Sequence, residues 1–127
     1  MAEVQNSNSS MTLKAGEDLS AYQFRIGILS AADTFRVTTV FPTLDAIGVL
    51  QNKPESATEA SVAIGGAICK VELGATLSAG AIVSAAEGTG KAIAIAQTYY
   101  AIGKILQGGD DGDLVDMIVN PIHLPKA

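Results

Sequence analysis

Residues 22–41 have the sequence YQFRIGILSAADTFRVTTVF, and this stretch gives the clearest indication of the fold. From Tyr22 to Ile28 every second residue is aromatic or aliphatic, which is the period of a half-buried strand. Residues 30–33 have the composition of a turn. The alternation resumes from Phe35 to Phe41, and Pro42 ends it because proline lacks a ladder donor. The sequence therefore predicts a β-hairpin.

The remainder of the chain consists of short apolar runs separated by Gly, Pro or small polar residues at intervals of about 8 to 12 residues, a spacing typical of all-β sandwiches and barrels. We therefore expect an all-β fold, a small β-barrel, β-sandwich or β-tulip-like domain with little helix. The candidate strands are Ala46 to Leu50, Ser61 to Ile64, Ala67 to Leu73, Ala81 to Ser84, Lys91 to Ala96, Ala101 to Leu106 and Leu114 to Val119.

The segment from Ala92 to Gln107 admits two interpretations. Its apolar residues fit one face of an amphipathic helix, whereas Gly103 and the β-branched side chains favour strands. A faint internal repeat points toward strands, because Ala46 to Gln51 is echoed by Ala101 to Gln107. In both copies an acidic turn and a second apolar run follow. A duplicated hairpin and chance similarity both remain open at this stage.

Composition and charge argue against several classes of function. The chain has 127 residues, a net charge of −5 and eight scattered Lys and Arg residues, which disfavours nucleic-acid binding. No apolar run approaches the roughly 20 residues of a membrane span, and the first residues lack the features of a secretory signal, so we expect synthesis in a cytoplasm. Residues 1–12 are rich in Ser and Asn and predict a flexible N-terminal arm, followed by a single domain over residues 13–127.

Few side chains suggest catalysis. Gly88 to Lys91 resembles part of a phosphate-binding loop, but it lacks the first Gly and the closing Ser or Thr, so a tight turn is the better interpretation. The Asp110 to Asp116 turn lacks the ligand pattern of a calcium loop, and His123 has no second His or Cys beside it. Cys69 fits a buried, inert thiol. We therefore expect no enzyme activity, cofactor or metal.

The succession of small motifs resembles the capsid decoration, or cement, proteins of tailed bacteriophages. The residues that carry the resemblance are Ile47 to Pro54, Gly74 to Val83, Gly90 to Ala92 and Ile102 to Leu106. The resemblance implies a protein that binds the major capsid protein on the outer surface of the mature capsid, commonly as a trimer at local three-fold sites, and stabilises the shell. It brings no catalytic residues.

Two further expectations follow. We expect Met11 and Leu13, where the arm meets the domain, to help contact the capsid. The alternative function is a small β-barrel module that binds a ligand such as a carbohydrate, for which Tyr99 and Tyr100 are the available aromatic platform because the chain has no Trp.

Overall fold

The computed structural model describes residues 10–41, 46–96 and 99–122, which form ten β-strands. No helix occurs in these ranges, and hence no helical membrane span. The all-β prediction is confirmed, and the segment after Ala92 forms strands. The strands are β1 (Ser10–Ala15), β2 (Ile26–Ala31), β3 (Thr34–Arg36), β4 (Gly48–Leu50), β5 (Glu59–Ala63), β6 (Ile68–Glu72), β7 (Ile82–Ala85), β8 (Ala92–Ala94), β9 (Ala101–Ile105) and β10 (Leu114–Ile122).

The first five strands form a closed barrel in the order β1-β3-β2-β4-β5, with β5 pairing back onto β1. The predicted hairpin is present, because β2 and β3 pair antiparallel around a turn at residues 32–33. Its second strand is shorter than the predicted run from Phe35 to Phe41, since β3 ends at Arg36. The barrel interior is filled by alternating side chains of its strands. Its buried residues are Leu13, Ala15, Leu19, Phe35, Val37, Leu50, Ala60 and Val62.

The last five strands form a second sheet in the order β6-β10-β9-β7-β8. Its two edge strands approach each other at a single parallel bridge between Leu73 and Ala92. Beside that bridge the Gly74 amide donates to the Ala92 carbonyl at 2.8 Å. The second sheet is therefore almost closed as well.

The two sheets have the same topology. Matching β1 to β6, β2 to β7, β3 to β8, β4 to β9 and β5 to β10 reproduces every neighbour and every strand direction. The strand registers also match. Gly48 pairs with Gly27 in the first sheet, and the equivalent Gly103 pairs with Val83 in the second. We call the two units the first repeat (β1–β5) and the second repeat (β6–β10). The repeat suggested by the sequence is therefore a repeat of the whole five-stranded unit.

Backbone conformation repeats along with topology. Phe24 and Gly80, at equivalent positions before β2 and β7, have φ of 67° and 90°. Their amides donate to the equivalent carbonyls of Leu50 and Ile105. The prediction that the first strand begins at Tyr22 is therefore wrong: the left-handed residue Phe24 interrupts the extended backbone, and β2 begins at Ile26.

The predicted arm boundary also shifts. Ser10 to Thr12 belong to β1 and pair with β5, so the barrel begins before residue 13. The rest of the predicted arm, residues 1–9, lies outside the described residues, as does His123.

A shared core joins the repeats. Ile26, Val49 and Ala63 of the first repeat pack in one buried cluster with the interior of the second, which includes Val71 and Met117. Because burial of apolar surface is the main favourable term in folding, this continuity makes the two repeats one packed structure.

Candidate contact surfaces

An apolar row crosses the outer face of the second sheet. Strand register places Ile68 beside Ile118, Ile118 beside Lys104, and Lys104 beside Ile82, so the four side chains share one face. Ile68 and Ile82 are 55% and 39% exposed. We call these four residues the Ile82 row. A depression of about 270 Å³ lies along it, lined by Ile82, Lys104 and Ile118 with Gly103 and Asn120.

The equivalent row of the first repeat is buried. The counterparts of Ile82, Lys104 and Ile118 are Ile26, Val49 and Ala63, which lie side by side through the same pairings. Ile26 and Val49 have no exposed surface, because the second repeat covers them. One surface therefore serves as an interface in the first repeat and faces solvent in the second.

The covering side of this interface belongs to β6 and the turn between β7 and β8. The Glu72 amide donates to the Phe24 carbonyl at 2.9 Å, and the Ile26 amide donates to the Gly90 carbonyl at 2.7 Å. Residues 24–26 thus lie between Glu72 and Gly90. Gly90 has a φ of 72°, and a Cβ there would lie 2.7 Å from Val37 Cγ1, so glycine permits this close approach.

In the first repeat the two equivalent positions are bonded directly to each other. The counterparts of Glu72 and Gly90 are Lys14 and Asp33, and the Lys14 amide donates directly to the Asp33 carbonyl at 2.6 Å. A surface depression of about 360 Å³ lies here, lined in part by Leu13, Lys14 and Asp33. On the adjacent strand Leu29 is 50% exposed, whereas its counterpart Ala85 is 2% exposed. We call this region the Lys14–Asp33 slot.

Charged side chains reinforce the junction between the repeats. Arg25 Nε lies 3.0 Å from Glu72 Oε1, and the Arg25 guanidinium also donates to the Thr89 carbonyl at 2.9 Å. Lys91 Nζ lies 3.5 Å from the other Glu72 oxygen. The Tyr22 ring faces Arg25 at 5.5 Å from the ring centre. Because both members of the central pair are largely buried, this network orients one repeat on the other.

Glu17 fastens the loop after β1 to the strand end after β3. Its carboxylate accepts hydrogen bonds from the Val37 amide at 3.0 Å, the Thr38 amide at 2.9 Å and the Thr38 hydroxyl. Partial burial alone would raise the pKa of this carboxyl. The hydrogen bonds from Thr38 and Val37, together with the Arg36 charge, outweigh burial and hold the pKa below its ordinary value.

The two side chains predicted to contact the capsid have different surroundings. Met11 is 39% exposed, whereas Leu13 is 4% exposed and packs inside the barrel. Both point to the same side of β1, and the strand carries Leu13 into the core while Met11 remains at the barrel's rim. Leu13 in this fold is a core residue, and Met11 is the member of the pair available for contact.

The glycine-rich and acidic segments considered as binding sites in the sequence have structural roles. Gly88 to Lys91 forms the predicted turn, where the Gly90 amide donates to the Ala86 carbonyl at 3.0 Å. In the acidic turn the Asp110 amide donates to Asp113 at 2.8 Å, and Asp116 pairs with Lys70 at 2.9 Å. Across residues 10–41, 46–96 and 99–122 no three His, Cys, Asp or Glu residues are grouped to hold a metal ion.

Cys69, Tyr99 and Tyr100 are all at least partly buried. Burial, and secondarily the charge of Asp116, raises the pKa of the Cys69 thiol to about 12, which suits an unreactive group packed against the core. Tyr99 and Tyr100 are half-buried in the segment before β9, so neither presents a fully open ring face.

Sequence reasoning missed both the Ile82 row and the Lys14–Asp33 slot. A signal existed: Gly16, Leu19, Ser20 and Ala21 recur as Gly74, Leu77, Ser78 and Ala79. Aligning the halves on this motif as well as on the Gly48 and Gly103 segments places an exposed Lys104 where the first repeat has Val49. That replacement marks a surface with different surroundings in the two repeats.

Comparisons with known proteins were made for sequence and for fold. No family model matches the sequence, and no curated protein matches it. The fold is similar to the crystal structure of the head fiber gp8.5 N base of bacteriophage phi29, with a TM-score of 0.63. The similarity covers 91% of this chain and 97% of that chain at 15% sequence identity. At that identity the two proteins share an all-β fold over nearly their whole length.

Proposed function

We propose that this protein is a structural component of a bacteriophage virion that binds the outer surface of the mature capsid and stabilises it. In this proposal it acts as a trimer at local three-fold sites, is made in the bacterial cytoplasm, and has the major capsid protein as its partner. It uses no cofactor and catalyses no reaction.

The observation that carries the proposal is the fold similarity to the N base of a phage head fiber, which extends over almost the full length of both chains. A resemblance in sequence motifs to phage decoration proteins points in the same direction. The two lines use different features, because one rests on strand arrangement and the other on the order of Gly and apolar residues.

The surface of the described residues is compatible with attachment by contact. Several large apolar side chains are exposed in separate places, among them Met11, Ile68, Ile82 and Leu114. Single apolar residues of this kind are common on protein surfaces, and they are available for contact with a partner. A trimer that meets several capsid subunits raises the effective concentration of each further contact, so weak patches combine into firm attachment.

Cosedimentation tests the proposal. Purified protein is mixed with expanded capsids built from the major capsid protein of the same virus, and with unexpanded procapsids as the control. We expect saturable binding to the expanded shells, and a higher temperature of shell disruption when they are decorated. Protein that stays in the supernatant with both kinds of shell would contradict the proposal.

A further inference from the structure

We propose that copies of this protein associate head to tail, with residues 80–82 and the Ile82 row of one copy entering the Lys14–Asp33 slot of the next. The contact reuses between chains the geometry that joins the two repeats within a chain. The inference rests on the proposed function in one respect: it names the interface through which the subunits of the proposed trimer would contact one another.

The first argument comes from the repeat. Ile26 and Val49 are covered by the second repeat, whereas their counterparts Ile82 and Lys104 are not covered. Strand pairing fixes this equivalence without reference to side-chain similarity. Ile82 retains the apolar character of its buried counterpart, although it lies on an outer sheet face.

The second argument concerns the receiving side. Within the chain, residues 24–26 lie between Glu72 and Gly90 and make two backbone hydrogen bonds there. In the first repeat the counterparts Lys14 and Asp33 bond to each other instead. Entry of residues 80–82 from another copy would exchange that one bond for two, which is a form of recognition by strand addition.

The third argument concerns side chains around the slot. Leu29, on the strand that pairs with β3, is exposed, whereas its counterpart Ala85 is buried in the core shared by the two repeats. A depression of about 360 Å³ marks the slot, and one of about 270 Å³ marks the Ile82 row. Among residues 10–41, 46–96 and 99–122, each copy therefore has one exposed Ile82 row and one Lys14–Asp33 slot with no strand inserted in it. The fitting partner of either feature is the other feature of a second copy.

The contact is heterologous, because the row and the slot are different surfaces. Such contacts form closed rings when the rotation between neighbours divides a full turn, and open chains otherwise. A second copy is the occupant that this geometry specifies. Capsid protein at the same face would instead leave the protein monomeric in solution.

A charge-pair experiment tests the register of the contact. Ala81 and Lys14 are the counterparts of Arg25 and Glu72, which form the ion pair of the junction within the chain. Ala81→Arg should place a cation opposite Lys14 and weaken self-association. Adding Lys14→Glu should rebuild the pair between chains and tighten association about tenfold relative to Ala81→Arg alone.

Sedimentation analysis in the absence of capsids provides the readout. We expect the wild-type chain, with a subunit mass of 13.0 kDa, to form oligomers. Ile82→Glu should shift them to monomer, whereas Leu106→Glu, which alters an exposed leucine just after β9 and outside the row, should not. Circular dichroism verifies that each variant is folded.

Three results would overturn the inference: a wild-type monomer at all concentrations, equal effects of Ile82→Glu and Leu106→Glu, or no rescue by Lys14→Glu. Capsid binding is measured separately on the same preparations. Capsid binding without self-association would reject the head-to-tail contact and leave the proposed binding to the capsid standing.

Discussion

Arg25 Nε lies 3.0 Å from Glu72 Oε1, and this pair links the first repeat to the second across 47 positions of the chain. Both side chains are mostly buried, with exposures of 15% and 20%. The pair sits where the Glu72 amide also bonds to the backbone of the first repeat. It is therefore the point at which the relative placement of the repeats is most directly fixed.

Removing the arginine should destabilise the fold. Arg25→Met leaves the Glu72 carboxylate with Lys91 at 3.5 Å as its remaining close cation, and should lower the free energy of unfolding by about 2 kcal/mol. Chemical denaturation measures this change. Lys70→Met breaks the more exposed pair with Asp116 and serves as the control, with an expected cost below about 1 kcal/mol. Equal costs for both substitutions would contradict the special role of the junction pair.

The repeat predicts which glycines tolerate a side chain. A Cβ at Gly48 would collide with the Ala63 carbonyl oxygen, and one at Gly103 would collide with the equivalent Ile118 carbonyl oxygen. Gly48→Ala and Gly103→Ala should therefore each cost about 3 kcal/mol. Gly112→Ala should cost only about 1 kcal/mol, since nothing lies within 4 Å of the new Cβ.

Thermal unfolding of the three variants checks this order. Gly112 has a φ of 93°, and its counterpart Ala57 holds a φ of 69° in the first repeat, so the expected cost of Gly112→Ala is that of a left-handed alanine. A Gly112→Ala variant less stable than Gly48→Ala would contradict the matching of the two repeats at this turn.

Stability should depend on pH through Glu17. The folded-state pKa of this carboxyl lies below its ordinary value of 4.5, so ionisation of Glu17 stabilises the fold above that pH. The contribution is lost as pH falls through the folded-state pKa. We expect Glu17→Gln to lower stability by about 1 to 2 kcal/mol at pH 7, and the gap from wild type to narrow below about pH 4. Urea titrations between pH 3 and pH 7 measure the gap, and a gap that widens on acidification would contradict this assignment.

Met11 should contribute to capsid attachment without contributing to the barrel core. Met11→Asp should weaken binding to expanded capsids about tenfold or more, because an exposed apolar contact is lost and a charge is introduced. Leu106→Asp, at an exposed leucine that is assigned to no contact, is the matched control. A drop in solution mass with Met11→Asp would instead assign Met11 to the contact between copies.

Nine of the ten strands were predictable from residue pattern alone, and β1 was not. Alternation and turn residues located the hairpin of β2 and β3, and the seven later candidate strands each overlap an observed strand. The repeated Ala-Ile-Gly segment correctly indicated a duplicated strand pair. These features depend on local periodicity, which the sequence displays directly.

Other features depend on which strands pair with each other, and the local sequence pattern does not predict them. Phe24 takes a left-handed conformation at the position where the second repeat has Gly80, and no pattern around Phe24 reveals it. Ser10 to Thr12 are polar enough to predict an arm, yet pairing with β5 holds them in the barrel. The exposed Ile82 row arises because Ile68, Ile118, Lys104 and Ile82 come from four strands, and register alone brings them together.

The measurement that tests the central claim most directly is an image reconstruction of expanded capsids incubated with the purified protein. The proposed function predicts ordered density on the outer surface of the shell at local three-fold sites, into which three copies of the all-β chain fit. Shells that remain bare at saturating protein, or density confined to the inner surface, would contradict it.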